Sequence, residues 1–547
     1  MDKKTHGITH DLFGGLTAAI VALPLALAFG VQSGMGATAG LYGAIALGIL
    51  AALFGGTKTQ ISGPTGPMAV VAAAIIADEI ARYGSLDAAL GTIVATFVLA
   101  GIFQILMGLS MMGSYIRYMP YPVISGFMSG IGLIIIFFQI FPLFGLESSS
   151  EIIEIFASLH TIPQSMNVQA LLLSSLTIAI IYLFPKITKK IPSTLVALIS
   201  LTIIAVFFKL DVPIIGDIPK GLPDIHIDTL LSLDWHHPMV IIIPALTLAA
   251  LGSIDSLLTS VIADNKTKTK HNPNKELVGQ GIGNAFAGLI GGLPGAGATM
   301  RTVVNIDAGG HTRLSGVVHG LILLFVLLGA GEFAKLIPLP VLAGILITVG
   351  IGIIDYKGLK HINAVPRSEA TIMIIVLVLT IFVNLLQAVA VGMVLASILF
   401  MKQMGDLAEE KAESIPLDLG DDAFLDGDTK NKRKIYLQHF DGPIFFGFTS
   451  YFSKIISQLP TVEAVVFRME KVPYIDQSGI YAIEDTVLEL TQDRGIEVYI
   501  VGIQDQPYDM LNRLRLIPDV IPKENVFENF ESLKKHLKGE KAVVMGA

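Results

Sequence analysis

Asp255 lies in an otherwise apolar run, PALTLAALGSIDSLLTSVIA, and Thr259 stands four residues on, on the same face of any helix the run forms. A charge at membrane depth costs about 2.5 to 3.5 kcal/mol to insert, so its default reading is functional. A carboxylate with a hydroxyl one turn away offers oxygen ligands to one cation or flanks one proton path, and Ser256 and Ser260 sit beside that face. The plainer alternative is a structural ion pair or a protonated Asp bonded to backbone. Arg301 is the other ionisable group of interest. It helps hold an anion, pairs with Asp255 as a built-in cation that leaves when a proton arrives, or snorkels to an interface.

Arg301 belongs to the stretch GGLPGAGATMRTVVNI, residues 291 to 306. Gly and Pro crowd its first half, so between apolar segments it is neither a lipid-facing loop nor an unbroken helix. Irregular backbone at that depth is tolerated only where it lines a protein-walled cavity. From about Ala298 the stretch has no Gly or Pro for roughly ten residues, which predicts a short helix starting inside the membrane. Such a helix aims free N–H groups and its positive dipole end into the cavity, which makes an anion site. A second stretch of this kind, QISGPTGPM at residues 60 to 68, precedes the apolar run Ala69 to Ala77. Interrupted apolar segments, one in each half of a chain, point to a transporter's binding site between inverted repeats, so the two should face each other. Around the substrate we expect the oxygens of Thr65 and Thr299 and the backbone N–H groups of Met68, Ala69, Ala298 and Thr299, with Gly66 and Gly297 beside them.

The elements that must position these groups follow from composition. The chain has 547 residues, 52% hydrophobic and 15% charged, with no cysteine. Its mean hydropathy of +0.68 is that of an integral membrane protein. Disulfides, thiol catalysis and cysteine metal sites are excluded. Leu12 to Val31, interrupted by Pro24 and lacking a small-residue cleavage site, reads as a retained first span. Up to about Met404 one apolar run follows another, giving roughly fourteen passes at about 20 residues per full span. Their centres lie near Ala19, Ile45, Ala72, Leu99, Gly132, Leu173, Leu198, Leu248, Ala285, Val303, Ile322, Ile345, Val376 and Val394.

Alternate loops carry Arg117; Lys186, Lys189 and Lys190; Lys266, Lys268, Lys270 and Lys275; Arg313; and Lys357, Lys360 and Arg367. The opposite loops carry Glu147, Glu151 and Glu154, then Asp211, Asp217, Asp224, Asp228 and Asp234. By the positive-inside rule both termini are cytoplasmic. The loop KTKTKHNPNKELVGQGIGN reads as a plain cytoplasmic connection, with His271 in it and the His236-His237 pair outside as solvated residues. No nucleotide loop, metal spacing or nucleophile with its base appears, so the chain is not expected to be an enzyme or an ATP-driven pump.

Domain organisation reads as a transmembrane part over 1–405, an acidic linker over 406–433 and a small soluble α/β domain over 434–547. In that tail Lys434 to Phe440, Ala464 to Met469 and Glu497 to Gly502 read as strands. Tyr451 to Leu459 and Ser478 to Arg494 read as helices, the second ended by Gly495.

DLFGGLTAAIVALPLALAFG, ISGPTGPM, SGFMSGIG, the Asp255 segment with NKELVGQGIGN, and GAGATMRTVVN ahead of an α/β tail resemble the SulP anion transporters, solute carrier family 26, over essentially the whole chain. The resemblance implies a polytopic α-helical fold of fourteen segments in two inverted repeats of seven, as in UraA-like transporters, divided into core and gate. It makes the third and tenth segments half-helices and the tail a cytoplasmic STAS domain that helps form homodimers. GPTGPM, IDSLLTSVIAD and GAGATM are most similar to cyanobacterial-type sodium-dependent bicarbonate transporters. That likeness implies Asp255, Thr259, Gly297 and Thr299 for sodium, and the Thr65 and Ala298 neighbourhoods for the anion. Arg301, with an acid at the Asp255 position, resembles sulfate and dicarboxylate members. It competes electrostatically with a sodium ion and so makes coupling by a proton through Asp255 a rival to sodium coupling. Leu25 stands where many members place a glutamine. Asp476-Gln477-Ser478-Gly479 resembles a phosphorylated DSSG site, while Ser478 also reads as a helix N-cap.

The expectation is therefore a secondary active transporter in a bacterial inner membrane, in contact with lipid and not with nucleic acid, moving a small inorganic anion with a sodium ion or proton and no other cofactor. Bicarbonate is the first choice, and proton-coupled sulfate or dicarboxylate transport the second. A nucleobase permease would need carboxylates or amides reading a ring edge, where GPTGPM and GAGATM supply mainly backbone donors. A membrane-tethered STAS signalling protein is the alternative of another class.

Overall fold

The computed structural model describes residues 2–149, 151–188, 191–216, 223–231, 238–383, 385–411, 435–448, 462–537 and 544–545. Lys189, Lys190, Asp217, Asp234, His236, His237, residues 412–434 of the acidic stretch and the helix expected over 451–459 lie outside these. The chain divides into two compact units, Met1–Val394 and Leu395–Ala547.

Each of the fourteen expected centres falls inside a helix: α1 Asp2–Gln32, α2 Ala37–Phe54, α3 Gly66–Tyr83, α4 Leu86–Leu109, α5 Tyr121–Phe138, α6 Val168–Leu183, α7 Ser193–Phe207, α8 Met239–Thr267, α9 Pro273–Leu289, α10 Thr299–Asp307, α11 Arg313–Ala334, α12 Leu339–Ile353, α13 Arg367–Phe382 and α14 Leu385–Lys411. Among the described residues, seven of them are long and apolar enough to cross a membrane, and α7, α11 and α12 are shorter apolar helices. Helix α14 runs past Asp406, so the first residues of the acidic stretch are helical.

Helices α1 to α4 pack with α8 to α11, and α5 to α7 pack with α12 and α13, so each bundle draws on both repeats. Small residues make the closest crossing possible. A Cβ on Gly281 of α9 would lie 2.5 Å from the Gly101 carbonyl oxygen of α4, so the two backbones touch with no room for a side chain. The stretch read as a plain connection is thus half wrong. From Pro273 it is helix α9, with Glu276, Gln280 and Asn284 buried, because its glycines let it pack tightly between α2 and α4. His271 is not simply solvated either, since its Nδ1 lies 2.7 Å from Asp264 Oδ2.

Two-residue strands precede the two short helices. β1, Ser62–Gly63, leads into α3, and β2, Ala296–Gly297, into α10. They pair antiparallel, Ser62 opposite Gly297 and Gly63 opposite Ala296.

In the second unit β3 Ile435–Asp441, β4 Ala464–Lys471, β5 Glu497–Val501 and β6 Val526–Phe527 form a parallel sheet in chain order. Helices α15 Gln477–Leu488, α16 Asp505–Arg513 and α17 Phe530–Leu537 accompany it. Phe467, Ile480, Ile483 and Ile500 lie in its apolar core. The N-cap of α15 is Asp476, whose Oδ1 accepts from Gly479 N–H at 2.8 Å. Ser478 lies inside the first turn, where its hydroxyl is too far along the helix to cap it, which corrects the capping role expected of it.

Candidate functional site

The paired strands bring the starts of α3 and α10 together in the interior of the first unit. Pro67 fits the first turn of α3 because the turn's N–H groups have no intrahelical acceptor. Neither helix is capped by a side chain. Ala69 N–H donates to Thr65 O and Thr302 N–H to Ala298 O, both at 2.8 Å, which closes the first turn of each. Ahead of them, the N–H groups of Gly66 and Met68 in α3, and of Thr299, Met300 and Arg301 in α10, make no hydrogen bond among the described residues. Two orphan N–H clusters therefore face one region. A Cβ on Gly66 would meet Ile135 Cδ1, Ile353 Cδ1 and Phe29, so apolar side chains of α1, α5 and α12 wall it.

Two expected donors are excluded by this geometry. Ala69 N–H is the closing bond of the α3 turn, and Ala298 N–H donates to Ile61 O at 2.8 Å as part of the strand pairing. Backbone that builds the break cannot also bind its occupant.

Asp255 and Thr259 come from α8, which passes beside both starts. Thr65 Oγ1 donates to Asp255 Oδ2 at 2.7 Å. Thr259, fully buried, donates to Gly297 O at 2.8 Å and lies 2.7 Å from Thr299 Oγ1. Ser256 Oγ accepts from Gly297 N–H at 3.0 Å. One carboxylate, two hydroxyls and one carbonyl thus gather on the α8 and α10 side, the hard oxygen set that suits an alkali cation. Gly297 is needed there, because a Cβ would fall 2.1 Å from Gln60 Nε2.

Arg301 is 1% exposed, so it does not snorkel. Its Nη2 donates to Pro64 O, across the strand pair, and no ion pair joins it to Asp255 among the described residues. The direct Asp255–Arg301 pair, one of the three readings of Arg301, is therefore not made. The β1 turn places the Pro64 carbonyl in front of the guanidinium, while Thr65 takes the carboxylate.

A buried network that sequence reasoning missed holds the breaks in place. Glu276 Oε2 accepts from the N–H groups of Gly56 and Thr57 at 2.8 and 2.7 Å, and its Oε1 accepts from Gln60 and Gln280, each at 2.8 Å. Gln280 Nε2 also donates to Ser62 Oγ at 2.6 Å. Asn284 receives Gly295 N–H at 2.8 Å and donates to Gly295 O at 3.0 Å. Ser260 donates to Gln60 Oε1 at 2.9 Å and lies 2.7 Å from Thr57 Oγ1. The available signal was the spacing of Glu276, Gln280 and Asn284 at i, i+4 and i+8, a polar stripe on one helical face inside an apolar region. His319, fully buried on α11, was also missed.

Comparison with known proteins covers both units. A model of the sulfate permease family matches residues 8–376, and a model of the STAS domain matches residues 428–533. The chain is 42% identical to bicarbonate transporter BicA of Picosynechococcus sp. over 98% of its length and 96% of that protein. It is 43% identical to bicarbonate transporter BicA of Synechocystis sp. over 96% of its length and 93% of that protein. Among solved structures it is similar to the transmembrane domain of a cyanobacterium bicarbonate transporter BicA, with a TM-score of 0.65 and 46% identity, covering 71% of this chain and 98% of that one. SLC26A9 shares the fold over 98% of this chain and 90% of its own, with a TM-score of 0.82 at 19% identity.

Proposed function

Because the chain belongs to the sulfate permease family, anion transporters with a STAS domain behind the membrane helices, we propose that it is a secondary active transporter of bicarbonate coupled to a cation at Asp255. The observation that carries this reading is the Thr65–Asp255 hydrogen bond, which joins the anion side of the site to the cation side. Two relatives named as bicarbonate transporters, similar over nearly the whole chain, support the choice of anion.

The anion lies between the orphan N–H groups of Gly66 and Met68 and those of Thr299 and Met300, where two helix dipoles stabilise it without a full counter-charge. Thr65 is its hydroxyl contact. Sodium, as co-substrate, takes Asp255, Thr259 Oγ1, Thr299 Oγ1 and Gly297 O. A cation arriving at Asp255 draws the carboxylate away from Thr65, and the freed hydroxyl turns its proton to the anion. Each substrate thereby prepares the site of the other, as reciprocal linkage requires. Movement of one helix bundle against the other then carries both across.

Both termini are cytoplasmic in this proposal, supported by the alternation of basic and acidic loops, and the membrane is the inner membrane of a bacterium. A homodimer belongs to the same proposal and rests on family resemblance. Proton-coupled sulfate transport is the second reading, favoured by the fixed positive charge of buried Arg301 near the anion.

Uptake of labelled bicarbonate and, separately, labelled sulfate into proteoliposomes, under an inward sodium or proton gradient, tests this. Sodium-driven bicarbonate uptake is expected, and proton-driven sulfate uptake would overturn both the anion and the coupling ion. Ser478→Ala is expected to leave uptake unchanged, whereas a signalling role for the tail would make it abolish a cellular response.

A further inference from the structure

Arg301 and His319 are buried ionisable groups, each with polar atoms that lack protein partners. Nε and Nη1 of Arg301 and both ring nitrogens of His319 make no hydrogen bond with protein. Leaving guanidinium N–H groups unpaired in an apolar interior is costly, so each needs an acceptor, direct or through one bridging water.

The helices place an acceptor there. Asn305 Nδ2 of α10 donates to Ser315 Oγ of α11 at 2.9 Å, which aligns the two helices at that level. Arg301 lies one turn before Asn305, and His319 one turn after Ser315. Each side chain therefore lies one turn from the Asn305–Ser315 contact on its own helix. Both also abut α2. A Cβ on Gly63 would lie 2.6 Å from Arg301 Nη1 and 3.3 Å from Ala44 Cα, and a Cβ on Gly48, one turn along, would lie 2.7 Å from His319 Nδ1.

We infer that His319 is a positioning residue, whose neutral imidazole accepts from one water to which the Arg301 guanidinium donates, and so holds the guanidinium behind the paired strands. Arginine stays charged, and a neutral imidazole offers one acceptor nitrogen. The guanidinium is then fixed between Pro64 O and the water that His319 holds. Its charge acts on the site as a constant positive potential and does not enter the cation ligand set, a consequence that rests on the transport reading above.

The test is a double-mutant cycle on the full-length protein, comparing melting temperatures of wild type, His319→Leu, Arg301→Met and the double variant. His319→Leu is expected to lower the melting temperature when Arg301 is present and to cost nothing when residue 301 is Met, a clear departure from additivity. In uptake, His319→Leu should raise the half-saturating anion concentration about tenfold, as loss of one hydrogen bond to a charged group does, while His319→Asn or His319→Gln restores it to within about threefold. Should Arg301→Met fail to fold, Gly48→Ala, which pushes the ring aside, must copy His319→Leu. Additive melting shifts, or amide variants no better than leucine, would overturn the inference. If wild type carries neither labelled bicarbonate nor labelled sulfate, the transport reading fails, while the melting cycle still reports whether His319 holds Arg301.

Discussion

The two half-helices share a backbone device and differ in chemistry. α3 and α10 each follow a two-residue strand, and each starts without a side-chain cap. A missing cap costs about 1 kcal/mol, which a helix end normally avoids and a ligand can offset. Past that shared start they part. α3 continues as MAVVAAAII, nearly all buried, and contributes one hydroxyl, from Thr65 at its cap position. α10 has nine residues and carries Thr299, Arg301, Thr302 and Asn305. On the proposed reading, two repeats keep one pseudo-symmetric frame for an anion while only the second supplies cation ligands and a fixed charge. Symmetry then resides in the backbone, and the proposed ion selectivity in the side chains that break it.

The largest expected effect comes from removing the group that both halves consult. Asp255→Asn keeps an oxygen for the Thr65 hydroxyl, so the fold should survive, but it removes the negative charge that draws a cation. Coupled uptake should fall more than about 100-fold in proteoliposomes, in line with loss of a charge in a desolvated site. Uptake that persists and still follows the sodium gradient would place the cation elsewhere.

Much of this frame was legible in the chain. The fourteen spans follow from apolar run length, and the facing of the two breaks follows from GPTGPM and GAGATM, because Gly and Pro leave few other backbones at membrane depth. What sequence could not assign was the distribution of hydrogen bonds. Ala69 and Ala298 carry N–H groups that resemble those of their neighbours, and only the turn closure and strand register decide which are spent. Arg301 was visible as an ionisable group in the broken stretch, but its burial and its partner, Pro64 O, emerged only when β1 and β2 paired. Glu276 was hidden by its setting among Lys275, Asn272 and Asn274, a loop-like composition that masks a helix start.

A pair of intermediate effects sharpens the contrast between the breaks. Thr65→Val should raise the half-saturating anion concentration about tenfold and remove the effect of sodium on it, while the half-saturating sodium concentration stays near wild type, because the carboxylate it releases stays available to the cation. Thr299→Val should raise the half-saturating sodium concentration by a similar factor. Both are measured by initial uptake rates with one substrate saturating and the other varied. If both variants shift the same ion, the division of labour between α3 and α10 is wrong.

The smallest effect is expected at the far end of α10. There Asp307 Oδ1 meets Lys266 Nζ of α8 at 2.7 Å, with the two side chains 60% and 34% exposed. The pair links the same two helices as the proposed cation ligands, and proximity alone would have it tune them. Its exposure argues otherwise: water and salt screen such a pair to at most about 1 kcal/mol, and holding two long side chains together costs entropy. At the buried end, Thr259 and Thr299 already fix α8 against α10 through oxygens that water does not reach as freely. Lys266→Ala should therefore leave the half-saturating concentrations of both ions within about twofold of wild type, at low and at high salt. A sodium affinity that drops with Lys266→Ala would mean that α10 pivots about its outer end, and the rigid seat assigned here to its first turn would have to be replaced by a moving one.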